Sequence, residues 1–457
     1  MSKPKFVIIG MGPCGLGTAW RLQELGHNNF KIYESLSYPG GLASSFTDEK
    51  GFTWDNGGHV QFSHYKYFDD LMDSLLGDEW LYHDRNANVW VEDRFVPYPF
   101  QNNIRYLPKE DMWECLSGLI DLYKEPPGNV ANFRDWIYAT FGKGIAELFM
   151  LPYNFKVWGY PAEKLSYQWI GERVAVTDLK RVAENILFEK NDVSWGPNNR
   201  FRFPLRGGTG EIWKRLFQRI EKNRTFFEHE LQHVDTQNRY VLFTNGHRED
   251  YDVLISTIPL KSLISLSDLQ NKRIADKLIY SSIHIVGVGL KGTAPEHLRT
   301  KTWMYFPGDD SPFFRVTVFS NYSPNNVPDS SKFWSLMSEV SESPQKPIDH
   351  EKIAEQAIQG MLNTKLIRSR EDIVNVWHKY QPYGYPTPSL ERDEALSVLE
   401  ELDRRNVYSR GRFGAWKYEV SNQDHSLMQG VEAVNKVLLH QKEITVWNPQ
   451  KANAGKN

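Results

Sequence analysis

Phe6-Val-Ile-Ile-Gly10-Met-Gly12-Pro-Cys-Gly15-Leu-Gly17-Thr-Ala-Trp-Arg-Leu-Gln-Glu-Leu-Gly26, followed shortly by Lys31-Ile-Tyr-Glu34, is the stretch from which the rest of the chain can be read. Phe6 to Ile9 is a short apolar run of the kind that forms a strand buried on both faces. The residues from Thr18 repeat their apolar members at helical spacing and stop at Gly26, a residue suited to the helix end. Lys31 to Glu34 is a second short strand, so the stretch predicts a βαβ unit. Gly10, Gly12 and Gly15 fall between strand and helix as GxGxxG, and Glu34 closes the second strand. In that context the glycines give a tight turn and a close backbone approach to a pyrophosphate held at the helix N-terminus, and Glu34 can accept a ribose hydroxyl. A glycine-rich βα turn with no ligand is the competing reading.

Further along, Glu34 is followed by Ser-Leu-Ser-Tyr-Pro-Gly40-Gly41-Leu-Ala-Ser44, which resembles the acid-then-Gly-Gly pattern of flavin amine oxidases and their relatives. Paired glycines let a chain pass close to a cofactor without side-chain collision, and the resemblance implies FAD rather than NAD. A second match, Gly287-Val-Gly289-Leu-Lys-Gly292, lies inside a strand pattern and leads into Thr293-Ala-Pro295, so it reads as a strand entering a turn.

The whole chain of 457 residues carries 54 Lys+Arg against 57 Asp+Glu, a net charge of −3, which lacks the electrostatic footprint of a nucleic-acid binder or a polybasic membrane protein. No run of 18 apolar residues occurs, so no membrane span is expected. The N-terminus enters a strand at once and leaves no room for a secretory signal, which points to a cytoplasmic protein. Two cysteines, Cys14 and Cys115, exclude a disulfide framework, a Cys-rich zinc site and a CxxC centre, and no metal site is read. The pattern carries no signal for oligomeric state.

The fold class expected is α/β: an FAD-binding Rossmann-like domain with an inserted mainly helical domain and an antiparallel β-sheet domain. Residues 1–64, 201–260 and 400–457 are assigned to the first, 65–165 to the second, and 166–200 with 261–399 to the third, a substrate domain.

Many strings in order along the chain resemble the UDP-galactopyranose mutases of the eukaryotic (fungal and protozoan) type. They include Asn56-Gly-Gly-His59, Phe62-Ser-His-Tyr-Lys-Tyr-Phe-Asp-Asp70, Val96-Pro-Tyr-Pro-Phe-Gln-Asn-Asn103, Pro152-Tyr-Asn-Phe-Lys-Val-Trp158 and Gly171-Glu-Arg-Val174. Trp195-Gly-Pro-Asn198, Gly384-Tyr-Pro-Thr-Pro-Ser-Leu-Glu-Arg392, Ser409-Arg-Gly-Arg-Phe-Gly414 and Asn422-Gln-Asp-His425 continue the series. The resemblance implies an isomerase that interconverts UDP-galactopyranose and UDP-galactofuranose through a covalent adduct of reduced flavin N5 with the sugar, without net redox change. FAD would be active when reduced, with NAD(P)H as a transient reductant entering the same cleft.

By the same resemblance Arg173 and Arg315 hold the pyrophosphate, a task suited to the planar guanidinium fork, while His59 lies beside the flavin; these three are the catalytic candidates. Tyr305, Tyr385 and Tyr418 would reach the diphosphate. Phe62, Tyr98, Phe100 and Gln101 belong to the substrate pocket, the last three around uracil, with Asn154, Trp158 and Asn198 near the nucleotide sugar. Gly58, Arg412, Asn422 and Gln423 join Gly10, Gly12, Gly15, Glu34 and Gly41 as cofactor contacts. Gln61 departs from the apolar residue expected beside His59. An FAD oxidoreductase of the amine-oxidase type, a mutase for a different UDP-sugar, and a catalytically silent binding protein remain as alternatives.

Overall fold

The computed structural model describes residues 3–125, 127–193, 196 and 199–455. Phe6–Ile9 is a strand with all four side chains buried, and it sits at the centre of a five-stranded parallel sheet. Across that sheet the order is Val407–Ser409, Val253–Ser256, Phe6–Ile9, Phe30–Tyr33 and Thr225–Phe226. Phe6 lies opposite Val253 on one side and Phe30 on the other. Burial on both faces explains why these strands read as continuous apolar runs. The helix Pro13–Glu24 follows the first strand and packs along the closing helix Gln423–Leu439.

A second, seven-stranded sheet runs in the order Ile373–Pro386, Tyr280–Lys291, Phe333–Glu342, Arg315–Val318, Trp303–Tyr305, Asn88–Val91 and Arg94–Pro97. Its pairs are antiparallel apart from Trp303–Tyr305 beside Asn88–Val91. The decoy glycines sit in the long strand Tyr280–Lys291, which turns at Gly292 (φ 82°). Residues 88–97, inside the stretch read as mainly helical, are two strands of this sheet, and Trp80–Asp84 pairs with Arg200–Pro204. Helices Lys109–Lys124, Phe133–Ile145 and Leu151–Trp158 make up most of the rest of that stretch.

One apolar core joins helices and sheet through Phe100, Phe133, Phe149, Trp158, Ile283 and Met337. A separate core around Phe6, Leu16, Trp213 and Leu427 holds the parallel sheet to its helices. Among the described residues no helix is long and apolar enough to cross a membrane. Cys14 and Cys115 are both free and buried.

Candidate active site

A cavity of about 750 Å³ opens between the two sheets. Gly10, Glu34, Thr257 and Gly411, each just past the carboxyl end of a parallel strand, line one end of it; ligands of open α/β sheets bind at that edge. A Cβ added at Gly15 would lie 1.9 Å from the Gly10 carbonyl oxygen, so strand and helix can approach only with glycine there. At Gly12 the nearest atom to an added Cβ is 3.9 Å away, which leaves open space in front of the helix N-terminus. Gly41, at φ 53°, brings its Cβ position to 3.3 Å from Gly12 Cα, so the Gly-Gly turn closes on the phosphate loop backbone to backbone. Glu34 is pinned by the Met11 N–H (2.7 Å) and the Leu36 N–H (3.0 Å), which fixes its carboxylate at the cavity edge. This cradle fits a dinucleotide such as FAD.

At the other end three guanidiniums converge. Arg315, on the strand Arg315–Val318, forms a two-pronged pair with Glu339: Nε to Oε1 at 2.7 Å and Nη2 to Oε2 at 2.8 Å. Oε1 also accepts the Gly58 N–H at 3.0 Å, which ties the Gly-Gly-His loop to the sheet. Burial opposes the charge on Arg315, but the Glu339 carboxylate outweighs it and holds the guanidinium well above its ordinary value. Arg173 donates to the Glu419 carbonyl (2.8 Å) and Asn422 Oδ1 (3.4 Å), lies over the Tyr418 ring at 4.9 Å, and keeps a buried Nε without a partner. Arg412 donates to the carbonyls of Gly384 and Ser421 and to Ser421 Oγ (2.9 Å). Burial lowers its value, with Arg173 and Arg315 adding repulsion. Among the described residues neither Arg173 nor Arg412 has a carboxylate partner, so positive charge faces the cavity uncompensated.

His59 lies between these ends with its buried Nδ1 unpartnered. Burial pushes its pKa down to about 4, with Glu339 opposing and Arg412 and Arg315 reinforcing, so the imidazole is neutral at pH 7. Tyr305 and Tyr385 also line the cavity; burial raises their phenols above the usual value and keeps them as O–H donors. Gln423 Oε1 accepts from Trp213 Nε1 (2.8 Å) and Gln61 Nε2 (2.9 Å), which fixes the first turn of the helix Gln423–Leu439 against the cavity.

Of the residues singled out in the sequence, Gly10, Gly12, Glu34, Gly41, Gly58, His59, Phe62, Arg173, Tyr305, Arg315, Tyr385, Arg412, Tyr418, Asn422 and Gln423 line this one cavity. Gly15 sits behind the phosphate loop. Tyr98 stands just outside, its ring 5.2 Å from that of Tyr305. Trp158 is buried against Tyr418 (4.8 Å), and Asn154 Oδ1 accepts its indole N–H at 3.3 Å, so these two form the wall behind the tyrosines. Phe100 is fully buried on Phe149 (4.9 Å), so its ring is not open to a base, contrary to the sequence expectation. Gln101 donates to the Ala175 carbonyl and keeps a buried Oε1 without a partner. Asn198 lies outside the described residues. Glu339 was missed in the sequence: an acid in the alternating strand Phe333–Glu342 has no local signal, although it is only 3% exposed.

A dinucleotide cradle facing a cationic pocket across a mixed α/β scaffold defines a flavoenzyme, and the chain belongs to the flavin-containing amine oxidoreductase family, which matches residues 13–438. FAD is the cofactor of that class. Within it, the chain belongs with the UDP-galactopyranose mutases. The crystal structure of a reduced UDP-galactopyranose mutase superposes with a TM-score of 0.97 at 47% identity, over 100% of this chain and 98% of that one. A CLA-producing fatty acid isomerase from P. acnes shares the fold alone, at 15% identity and TM-score 0.64 over 96% of this chain and 100% of that one. The zeta-carotene desaturase of Capsicum annuum is 35% identical over 89 residues, a match that spans 20% of this chain and only 15% of that relative's length.

Proposed function

We propose that this chain is an isomerase that interconverts UDP-galactopyranose and UDP-galactofuranose, with FAD working in its reduced form and NAD(P)H as the reductant. The observation that carries the reading is the convergence of Arg173, Arg315 and Arg412 on one cavity wall with Glu339, among the described residues, as the one carboxylate paired with them. An amine substrate would be repelled there, whereas a diphosphate is held by charge-assisted, fork-shaped contacts. When bound and reduced, the flavin supplies a nucleophilic N5 for the anomeric carbon and so permits ring opening and reclosure. The protein does the rest. Arg173 and Arg315 take the charge that grows on the diphosphate as it leaves, with the tyrosine hydroxyls as additional donors. His59, neutral at working pH, presents a lone pair or an N–H beside the reacting centre without adding charge. Tyr98 offers a face to the base, and the unpartnered Oε1 of Gln101 can accept the uracil N–H.

The test is a chromatographic assay with UDP-galactofuranose, run with the flavin oxidised and then reduced by dithionite. Conversion to UDP-galactopyranose only after reduction supports the reading. No conversion with a bound, reducible flavin refutes it for this sugar. Bleaching of the flavin by NADPH or NADH under argon tests the reductant separately.

A further inference from the structure

On the face of the seven-stranded sheet that turns away from the cavity, two histidines gather round one carboxylate. Strand alternation places His284 and Glu342 there: Ile283 and Glu339 line the cavity, so these two, one and three residues on, face the other way. His284 Nε2 lies 3.0 Å from Glu342 Oε2, and His350 Nε2 lies 2.9 Å from the same oxygen and 3.1 Å from Oε1. The three ligand atoms all lie within 4.8 Å of one another. We propose that His284, Glu342 and His350 form a binding site for one divalent transition-metal ion, of which Zn²⁺ is the best match.

The geometry carries this in three ways. Zinc–nitrogen and zinc–oxygen bonds of about 2.0–2.1 Å in a tetrahedron set ligand atoms roughly 3.3 Å apart, within a few tenths of an ångström of the two imidazole–carboxylate separations here. Two imidazoles and a carboxylate form a donor set that zinc takes where a further coordination position is left to solvent. His350 is about half exposed and Glu342 partly so, which opens that position to water. Finally, the other nitrogen of the buried ring is already supported: His284 Nδ1 lies 3.0 Å from His378 Nε2, so with Nε2 on the metal the Nδ1–H donates to His378. Such an outer partner fixes the tautomer that a metal requires. The neighbouring cation, Lys346, is engaged by the Ser341 carbonyl. The metal would fasten the segment carrying His350 to the sheet. The ligands are 58 and 8 residues apart in sequence, a spacing that matches no local metal motif.

The experiment uses untagged, FAD-loaded protein stripped with EDTA and titrated with Zn²⁺ against a chromophoric chelator. One Zn²⁺ per chain is expected, with Co²⁺ giving the visible absorption of a tetrahedral site. His350→Ala and Glu342→Gln should lose stoichiometric binding, and His378→Ala should weaken it about tenfold, all with flavin absorbance intact. His350 is on the surface, so its variant reads the site without disturbing the core. No stoichiometric uptake, meaning a hydrogen-bonded cluster only, overturns the proposal. So does wild-type affinity in both ligand variants.

Discussion

Replacing Arg315 with alanine removes two things at once, and the structure says how to separate them. Both oxygens of Glu339 are engaged by the guanidinium, and only the Gly58 N–H would remain on a carboxylate that is 3% exposed. Breaking a buried pair by deleting one member costs about 3–5 kcal/mol, because the surviving charge is stranded. Arg315→Ala should therefore destabilise the protein by about 3 kcal/mol and also weaken UDP binding. The double variant Arg315→Ala/Glu339→Gln removes the stranded charge and should recover most of the stability. It should not recover the ligand. A charged hydrogen bond is worth about 1.5–3 kcal/mol, or roughly 10- to 100-fold in affinity. Calorimetric titration with UDP, together with thermal melting and the flavin absorbance of the same samples, reads all three quantities. If the double variant binds UDP as tightly as the parent protein, Arg315 is a structural partner of Glu339 and the diphosphate assignment fails.

The two phosphate-loop glycines should behave differently. Gly12→Ala has room for its methyl group but places it where the pyrophosphate would lie, so it should lower FAD affinity at least tenfold with little change in apoprotein melting. Gly15→Ala, with its Cβ 1.9 Å from a carbonyl oxygen, should fail to fold, and soluble, FAD-loaded Gly15→Ala would contradict the packing argument. His59 makes a pH prediction. Its folded pKa of about 4 is below the 6.5 of an unfolded chain, so its stabilisation is complete above pH 6.5 and is lost as pH falls toward 4. Between pH 7 and pH 5 the parent should lose about 2 kcal/mol more unfolding free energy than His59→Asn; equal losses in urea titrations would refute a neutral, buried imidazole. Gln61→Leu deletes one bond to Gln423 while the Trp213 bond remains, so it should cost only about 1 kcal/mol.

Local chemistry was legible in the sequence, and long-range pairing was not. The phosphate loop could be read because its strand, glycines and helix are consecutive, and Glu34 follows at the end of the next strand. Arg173, Arg315 and Arg412 could be named only from the strings around them, since a single arginine carries no positional signal. Glu339 was invisible for a related reason: its importance lies in facing Arg315 across neighbouring strands, a register that no local pattern encodes. The strands Asn88–Val91 and Arg94–Pro97 fall inside the aromatic, helical stretch because the first is buried throughout and shows no alternation, and the second is only four residues long. Phe100 lies beside Tyr98 in one short string, yet a turn sends one ring into the core and leaves the other facing Tyr305.

The parallel sheet draws its strands from both extremes of the chain, and this has a consequence for biosynthesis. At about 5–20 residues per second, the edge strand Val407–Ser409 leaves the ribosome roughly 20–80 seconds after Phe6–Ile9. Throughout that interval Val253–Ser256, once made, has no neighbour on one side and exposes a row of unpaired backbone groups that invites mispairing. Arg412 and the helix beginning at Gln423 arrive later still. Capture of the flavin is thus deferred until these last elements of its site have been made, and before then the cofactor cannot stabilise the nascent chain.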